Sequence, residues 1–73
     1  MTKEEAIKVA EDWHSQRKDK TDNWWRPTKP HRVFRMEGGF RVLMFGDHGC
    51  VGNYLVPEEL AEADRKWHSP VTI

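Results

Sequence analysis

One short segment of this 73-residue sequence, Asp47-His48-Gly49-Cys50, combines side chains that could do chemistry. A histidine and a cysteine two residues apart could ligate zinc, or could act as a base and a nucleophile. A structural zinc site needs about four ligands, but the sequence has a single cysteine and its other histidines are scattered. A catalytic pair also needs an orienting group and oxyanion donors, which no other motif supplies. We therefore interpret the segment as a hairpin turn and predict no metal site, no cofactor and no enzymatic activity.

Basic and aromatic residues concentrate in the middle of the chain. Residues 23–48 carry five Lys or Arg against two Asp or Glu, whereas the whole chain has 12 of each and no net charge. A basic middle between acidic ends can attract an anionic partner even in a neutral protein. Arg and Trp are also enriched at the energetic centres of protein interfaces. The candidate partner-binding residues are therefore Trp24, Trp25, Arg26, Arg32, Arg35 and Arg41.

Two pairs among these residues have a structural as well as a functional interpretation. Neighbouring rings on an extended segment point to opposite sides, so Trp24 and Trp25 either anchor a partner or wrap the edge of a small core. Arg35 and Arg41 are predicted to oppose each other on one sheet face, an unfavourable contact that an acidic partner would relieve. Alternatively, their stems cover apolar sheet while their charged ends stay in water, or an acid such as Asp47 pairs with them.

Hydrophobic spacing predicts the elements that must position these residues. Thr2 and Glu5 match a capping box, which predicts a helix over residues 3–18. The buried stripe of this helix is predicted to be Ala6, Val9, Ala10 and Trp13. Strands are predicted over residues 31–36, 40–45 and 50–56. Pro57 is predicted to open a second helix with the buried stripe Leu60, Ala63 and Trp67, and residues 68–73 to form a loose tail.

Two registers are possible for the first hairpin. A two-residue loop of Gly38 and Gly39 mixes charged residues into both faces of the hairpin. A three-residue loop, with Gly39 left-handed, pairs Met36 with Phe40 and leaves one face entirely apolar. That face is predicted to be Phe34, Met36, Phe40, Val42 and Met44. Because register follows the burial pattern, the three-residue loop is favoured.

The predicted order of elements is α-β-β-β-α, in one α+β domain over residues 1–73. Its three-stranded antiparallel sheet should carry both helices on one face. This order resembles that of the double-stranded-RNA-binding domain, a family that holds phosphates with lysines at the start of its second helix. The matching positions here are Pro57, Glu58 and Glu59, and the two carboxylates would repel phosphates. The order is also similar to that of small inhibitor and immunity proteins that block one target by surface contact.

These patterns predict a small non-enzymatic protein-interaction module of the inhibitor, adaptor or immunity type. It would bind an acidic partner surface through the basic, Trp-containing face. The alternative is a nucleic-acid-binding domain that uses the same residues, although such domains usually carry a basic excess. No apolar run approaches the ~18 residues of a membrane span. With a charged N-terminus and one cysteine, we expect no membrane partner and a cytoplasmic location.

Overall fold

A computed structural model of the protein describes residues 1–20 and 22–60. The helix α1 (Lys3–Gln16) is followed by single turns of 3₁₀ helix at Lys18–Lys20 and Asn23–Trp25. The strands β1 (Arg32–Met36), β2 (Gly39–Gly46) and β3 (Gly49–Pro57) form an antiparallel sheet in the order β1-β2-β3. A helix packed on a three-stranded antiparallel sheet confirms the small α+β fold. Within this part of the chain, no helix is long and apolar enough to cross a membrane.

α1 begins at the predicted capping box. The Thr2 hydroxyl accepts a hydrogen bond from the Glu5 backbone N–H at 3.2 Å, and the Thr2 backbone N–H donates to the Glu5 carboxylate at 3.3 Å. These bonds satisfy two of the N–H groups that a helix start leaves without partners. The helix ends at Gln16, two residues earlier than predicted, because Arg17 has extended backbone angles. The predicted stripe is confirmed, since its four residues are buried: Ala6, Val9, Ala10 and Trp13.

The inner face of the sheet, which we define as the side toward α1, is built by β2 and β3. Its buried residues are Phe40, Val42, Met44, Val51, Tyr54 and Val56, and with the α1 stripe they form one hydrophobic cluster. A bulge after Met44 leaves Val51 without a partner on β2, which lets it turn into the core. The outer face is the opposite side, and its residues are Arg32, Phe34, Met36, Arg41, Leu43, Phe45, Asn53 and Leu55.

The register of the first hairpin differs from the predicted one by one residue. Met36 pairs with Gly39, so the turn consists of Glu37 and Gly38. Gly38, rather than Gly39, has the left-handed backbone, with φ at +83°. Gly39 is a buried strand residue, where a Cβ would overlap the carbonyl oxygen of Val56. Close pairing of β2 with β3 therefore requires glycine at this position.

This register moves Phe34 and Met36 to the outer face, where they are 47% and 42% exposed. The prediction of one buried five-residue face is therefore wrong for these two side chains and correct for the three on β2. The physical reason is that α1 covers only part of the inner face. The 14-residue helix α1 packs over β2 and β3, and the edge strand β1 adds only the partly buried Val33 to the core.

The predicted second helix falls mostly on residues that the structure does not describe. Pro57 is the last residue of β3 rather than the first of a helix, and residues 58–60 are not helical. The Glu58 backbone N–H donates to the Gly38 carbonyl at 2.8 Å, so the chain stays beside the first hairpin. The rest of that helix, with Ala63 and Trp67, and the predicted tail of residues 68–73 lie outside the described residues.

Candidate functional site

The two arginines that were predicted to oppose each other lie on different sides of the sheet. Arg41 is on the outer face and donates to Asn53 Oδ1 at 2.7 Å. Arg35 opposes Phe40 instead, and its guanidinium carbon lies 5.1 Å from the centre of that ring. A guanidinium nitrogen of Arg35 is also 3.8 Å from a Glu58 carboxylate oxygen. The predicted like-charge contact is therefore wrong, and Arg35 covers the edge of the core while its charged end stays in water.

The second arginine of the outer face is Arg32. Arg32 opposes Leu43 and Arg41 opposes Phe34, which makes the two arginines diagonal neighbours on adjacent strands. The apolar side chains around them include Leu55, which is 53% exposed. No Asp or Glu occurs among the residues that define this face. The outer face is therefore an apolar surface that carries two positive charges.

The adjacent tryptophans divide between core and surface. Asn23–Trp25 form one turn of 3₁₀ helix, which corrects the predicted extended segment. Trp25 packs against the hydrophobic cluster, and Lys20 Nζ lies 3.5 Å from the centre of its ring. Trp24 is 45% exposed and stacks on His48, with 4.8 Å between ring centres and 9° between planes. Trp24 is therefore available at the surface beside the β2–β3 turn, as is the exposed Arg26 that follows the pair.

The β2–β3 turn uses its polar groups in local contacts. The Asp47 carboxylate accepts a hydrogen bond from Thr28 Oγ1 at 3.0 Å, and His48 stacks on Trp24. Cys50 is exposed, and its thiol donates to the Gly52 carbonyl at 3.3 Å. Within residues 1–20 and 22–60, no group of three or more His, Cys, Asp or Glu could hold a metal ion.

A buried polar pair that was not among the predicted core or site residues links α1 to β3. His14 is buried, with Nδ1 2.5 Å from the Tyr54 hydroxyl and Nε2 2.8 Å from the Trp25 carbonyl oxygen. A carbonyl only accepts, so Nε2 carries a proton, and in the neutral ring Nδ1 accepts from the Tyr54 hydroxyl. Burial raises the pKa of Tyr54, and a hydrogen bond from Arg17 partly offsets that effect. The four-residue spacing from Ala10 to His14 was the signal that could have placed this histidine in the buried stripe.

A cleft of about 570 Å³ lies between the end of α1 and the connection to β1. Both acidic and basic side chains line it, including Glu11 and Arg17. Several of these charges already have partners within the chain. Arg17 is paired with Asp19 at 2.7 Å, and His31 Nε2 lies 3.4 Å from Glu11. This cleft therefore presents charges of both signs, some paired within the chain and others, Asp22 and Arg26, outside the ion pairs of the described residues.

Another cleft of about 570 Å³ lies where β1 begins, at one end of the outer face. Its lining residues are Lys29, Pro30, His31, Arg32, Phe45, Gly46 and Gly49, and none of them is acidic. Lys29 and Arg32 are exposed, and neither forms an ion pair with a described residue. Positive charge in this cleft is therefore not neutralised by the described part of the chain.

Comparison with known proteins gives no family for this chain. It matches no protein-family model, no curated protein and no solved structure. The shape, composition and charge of the surfaces described above are therefore the observations that bear on function.

Proposed function

We propose that the protein is a small interaction module that binds a protein partner through the outer face of its sheet. The composition of that face carries the proposal. Phe34, Met36 and Leu55 are exposed, Leu43 is partly buried, and the two arginines beside them have no acidic neighbour among the described residues of this face. Contiguous exposed apolar patches mark binding surfaces, and Phe, Met and Arg are enriched at interfaces. The partner should be apolar opposite the centre of the face and acidic opposite the arginines.

The energetics of the outer face favour binding over a purely structural role. Phe34, Met36 and Leu55 each leave about half of their surface in water, so each contributes less to folding than a buried residue. Covering the remaining area of one such side chain stabilises a complex by on the order of 1 kcal/mol, at about 25 cal/mol per Å². Three together supply part of what is needed to offset the entropy lost on association.

The proposed surface differs from the set predicted by sequence. It retains Arg32 and Arg41 and adds the exposed apolar residues of β1 and β3. Trp25 and Arg35 are left out because one packs against the core and the other covers its edge. Trp24 stays a candidate contact at the β2–β3 turn. The activity proposed is binding without catalysis, in the inhibitor, adaptor or immunity class.

A random peptide library displayed on phage, selected on the immobilised protein, tests this function. Selected peptides should combine apolar residues with Asp or Glu. Phe34→Ser with Leu55→Ser should weaken binding of a selected peptide by about tenfold or more, which corresponds to roughly 1.4 kcal/mol. Arg32→Gln with Arg41→Gln should weaken it less and remove most of its salt dependence, because exposed charges act mainly through screened attraction. Isothermal titration calorimetry at low and moderate salt measures both effects.

Arg35→Gln is the matched control, since it removes a guanidinium from β1 on the side of the sheet opposite to the outer face. It should leave the affinity unchanged, and thermal unfolding of each variant should show that the fold is intact. Wild-type affinity in the Phe34 and Leu55 variant would mean that the outer face is not the binding surface. Binding of a fluorescent single-stranded RNA oligonucleotide, lost steeply with salt and dependent on Arg32 and Arg41, would support the nucleic-acid alternative instead.

A further inference from the structure

We infer that the cleft lined by Lys29, Arg32 and Phe45 receives a carboxylate side chain of the protein partner. This inference rests on the proposed function, because Arg32 belongs both to the cleft and to the outer face. A partner that lies across Phe34 can therefore reach the cleft along β1. The cleft would supply the acidic-residue specificity that the apolar centre of the face lacks.

Charge is the first argument for a carboxylate. Lys29 and Arg32 have no ion-pair partner among the described residues, and no acidic side chain lines the cleft. The adjacent turn carries one carboxylate, Asp47, which accepts a hydrogen bond from the Thr28 hydroxyl and does not line the cleft. A guanidinium binds a carboxylate with two parallel N–H donors, and an ammonium adds a compact positive charge. One Asp or Glu side chain in the cleft would compensate positive charge of its lining.

Shape is the second argument. The Arg32 guanidinium carbon lies 6.0 Å from the centre of the Phe45 ring, so the positive group sits beside an aromatic surface that can contact the methylene groups of a Glu. Gly46 and Gly49 form part of the wall without side chains. A Cβ at Gly46 would lie 2.6 Å from the Arg26 carbonyl oxygen, whereas Gly49 faces open space. The volume, about 570 Å³, is within the range of small-ligand sites.

The cleft beside α1 is a poorer site for the same group. Glu11 and Asp22 line it and would repel a carboxylate. Its Arg17 is already paired with Asp19 at 2.7 Å. The difference in lining charge between the two clefts therefore gives the experiment an internal comparison.

Nuclear magnetic resonance titration of the ¹⁵N-labelled protein tests the inference with two isosteric probes, acetyl-glutamate amide and acetyl-glutamine amide. The charged probe should produce saturable shifts of the Arg32, Gly46 and Gly49 amide signals. The neutral probe at the same concentration should produce shifts at least about fivefold smaller, because the charge-assisted hydrogen bonds are absent. Lys29→Gln with Arg32→Gln should abolish the response. Lys8→Gln, which removes a positive charge from the exposed surface of α1, should leave it unchanged.

Several results would overturn the inference. These are equal shifts with the two probes, a response that persists in the double variant, or the largest shifts at the cleft beside α1. Inorganic phosphate that saturates the same signals at about tenfold lower concentration would also overturn the carboxylate assignment, in favour of a nucleic-acid partner. If the charged probe fails to bind while the Phe34 and Leu55 variant still loses peptide affinity, this inference falls and the proposed function stands.

Discussion

Removal of a single hydroxyl group in Tyr54→Phe tests the buried link between α1 and β3. The ring of residue 54 would keep its packing against Trp13, whose ring centre is 6.3 Å away. The buried His14 Nδ1 would lose its donor, and the hydrogen bond from Arg17 to the hydroxyl would be lost as well. A buried polar group left without a partner costs about 1–3 kcal/mol. Each kcal/mol lowers the Tm of a domain this small by about 4–8 °C, so we expect a decrease on the order of 10 °C.

Thermal unfolding followed by circular dichroism at pH 7 measures this decrease. The control is Ser15→Ala, because the Ser15 hydroxyl donates to a helix carbonyl at an exposed position, at 2.8 Å. A surface change of this kind should alter the free energy of unfolding by no more than about 0.5 kcal/mol. A Tyr54→Phe variant with the Tm of the wild type would refute the argument that this hydroxyl satisfies a buried nitrogen.

Three further predictions concern the same core and hairpin. Burial raises the pKa of Tyr54 above its unfolded value of about 10. The contribution of Tyr54 to stability should therefore be constant below about pH 10 and be lost as pH rises through the folded pKa. Urea titrations above about pH 10 should show this decline in wild type and a smaller one in Tyr54→Phe. Trp13→Ala should lower the free energy of unfolding by ~3–5 kcal/mol, and the exposed Trp24→Ala should lower it far less. Comparable decreases for the two variants in urea titrations would contradict the observed burial. Gly38→Ala should cost about 1–2 kcal/mol because the backbone there is left-handed. Gly39→Ala should lower the Tm more, because its Cβ would overlap the backbone of β3; the reverse order would contradict the register.

Local patterns in the sequence were sufficient to predict α1 and the three strands, but not the 3₁₀ turn at Asn23–Trp25 or the end of β3 at Pro57, which was predicted to open a helix. The capping box at Thr2 and Glu5 and the stripe of α1 depend on residues within a few turns of one helix, and both are confirmed. The strand positions are correct to within one residue at each end. The same locality explains the misplaced left-handed glycine, because Gly38 and Gly39 are equally suited to a turn when only their neighbours in the chain are considered.

The outer face could be predicted only in part. Arg32 and Arg41 were named as candidates from charge, but their position on the same face depends on a register that was predicted one residue away. Because side chains alternate in a strand, that single step exchanged the faces of β1 and brought Phe34 to the surface. The sequence alone thus identified the basic character of the surface and missed its apolar centre.

Tertiary structure decided the register, the buried polar pair and the charged cleft. Gly39 is in a strand because β3 packs against its backbone, a contact between segments that no local pattern records. His14 and Tyr54 are 40 residues apart and meet only when α1 lies on the sheet. The sequence determined where α1 and the three strands form, since those elements depend on spacing along the chain. Which side chains became core and which stayed available for binding depended on how much of the sheet α1 covers, and that area exists only after the chain has folded.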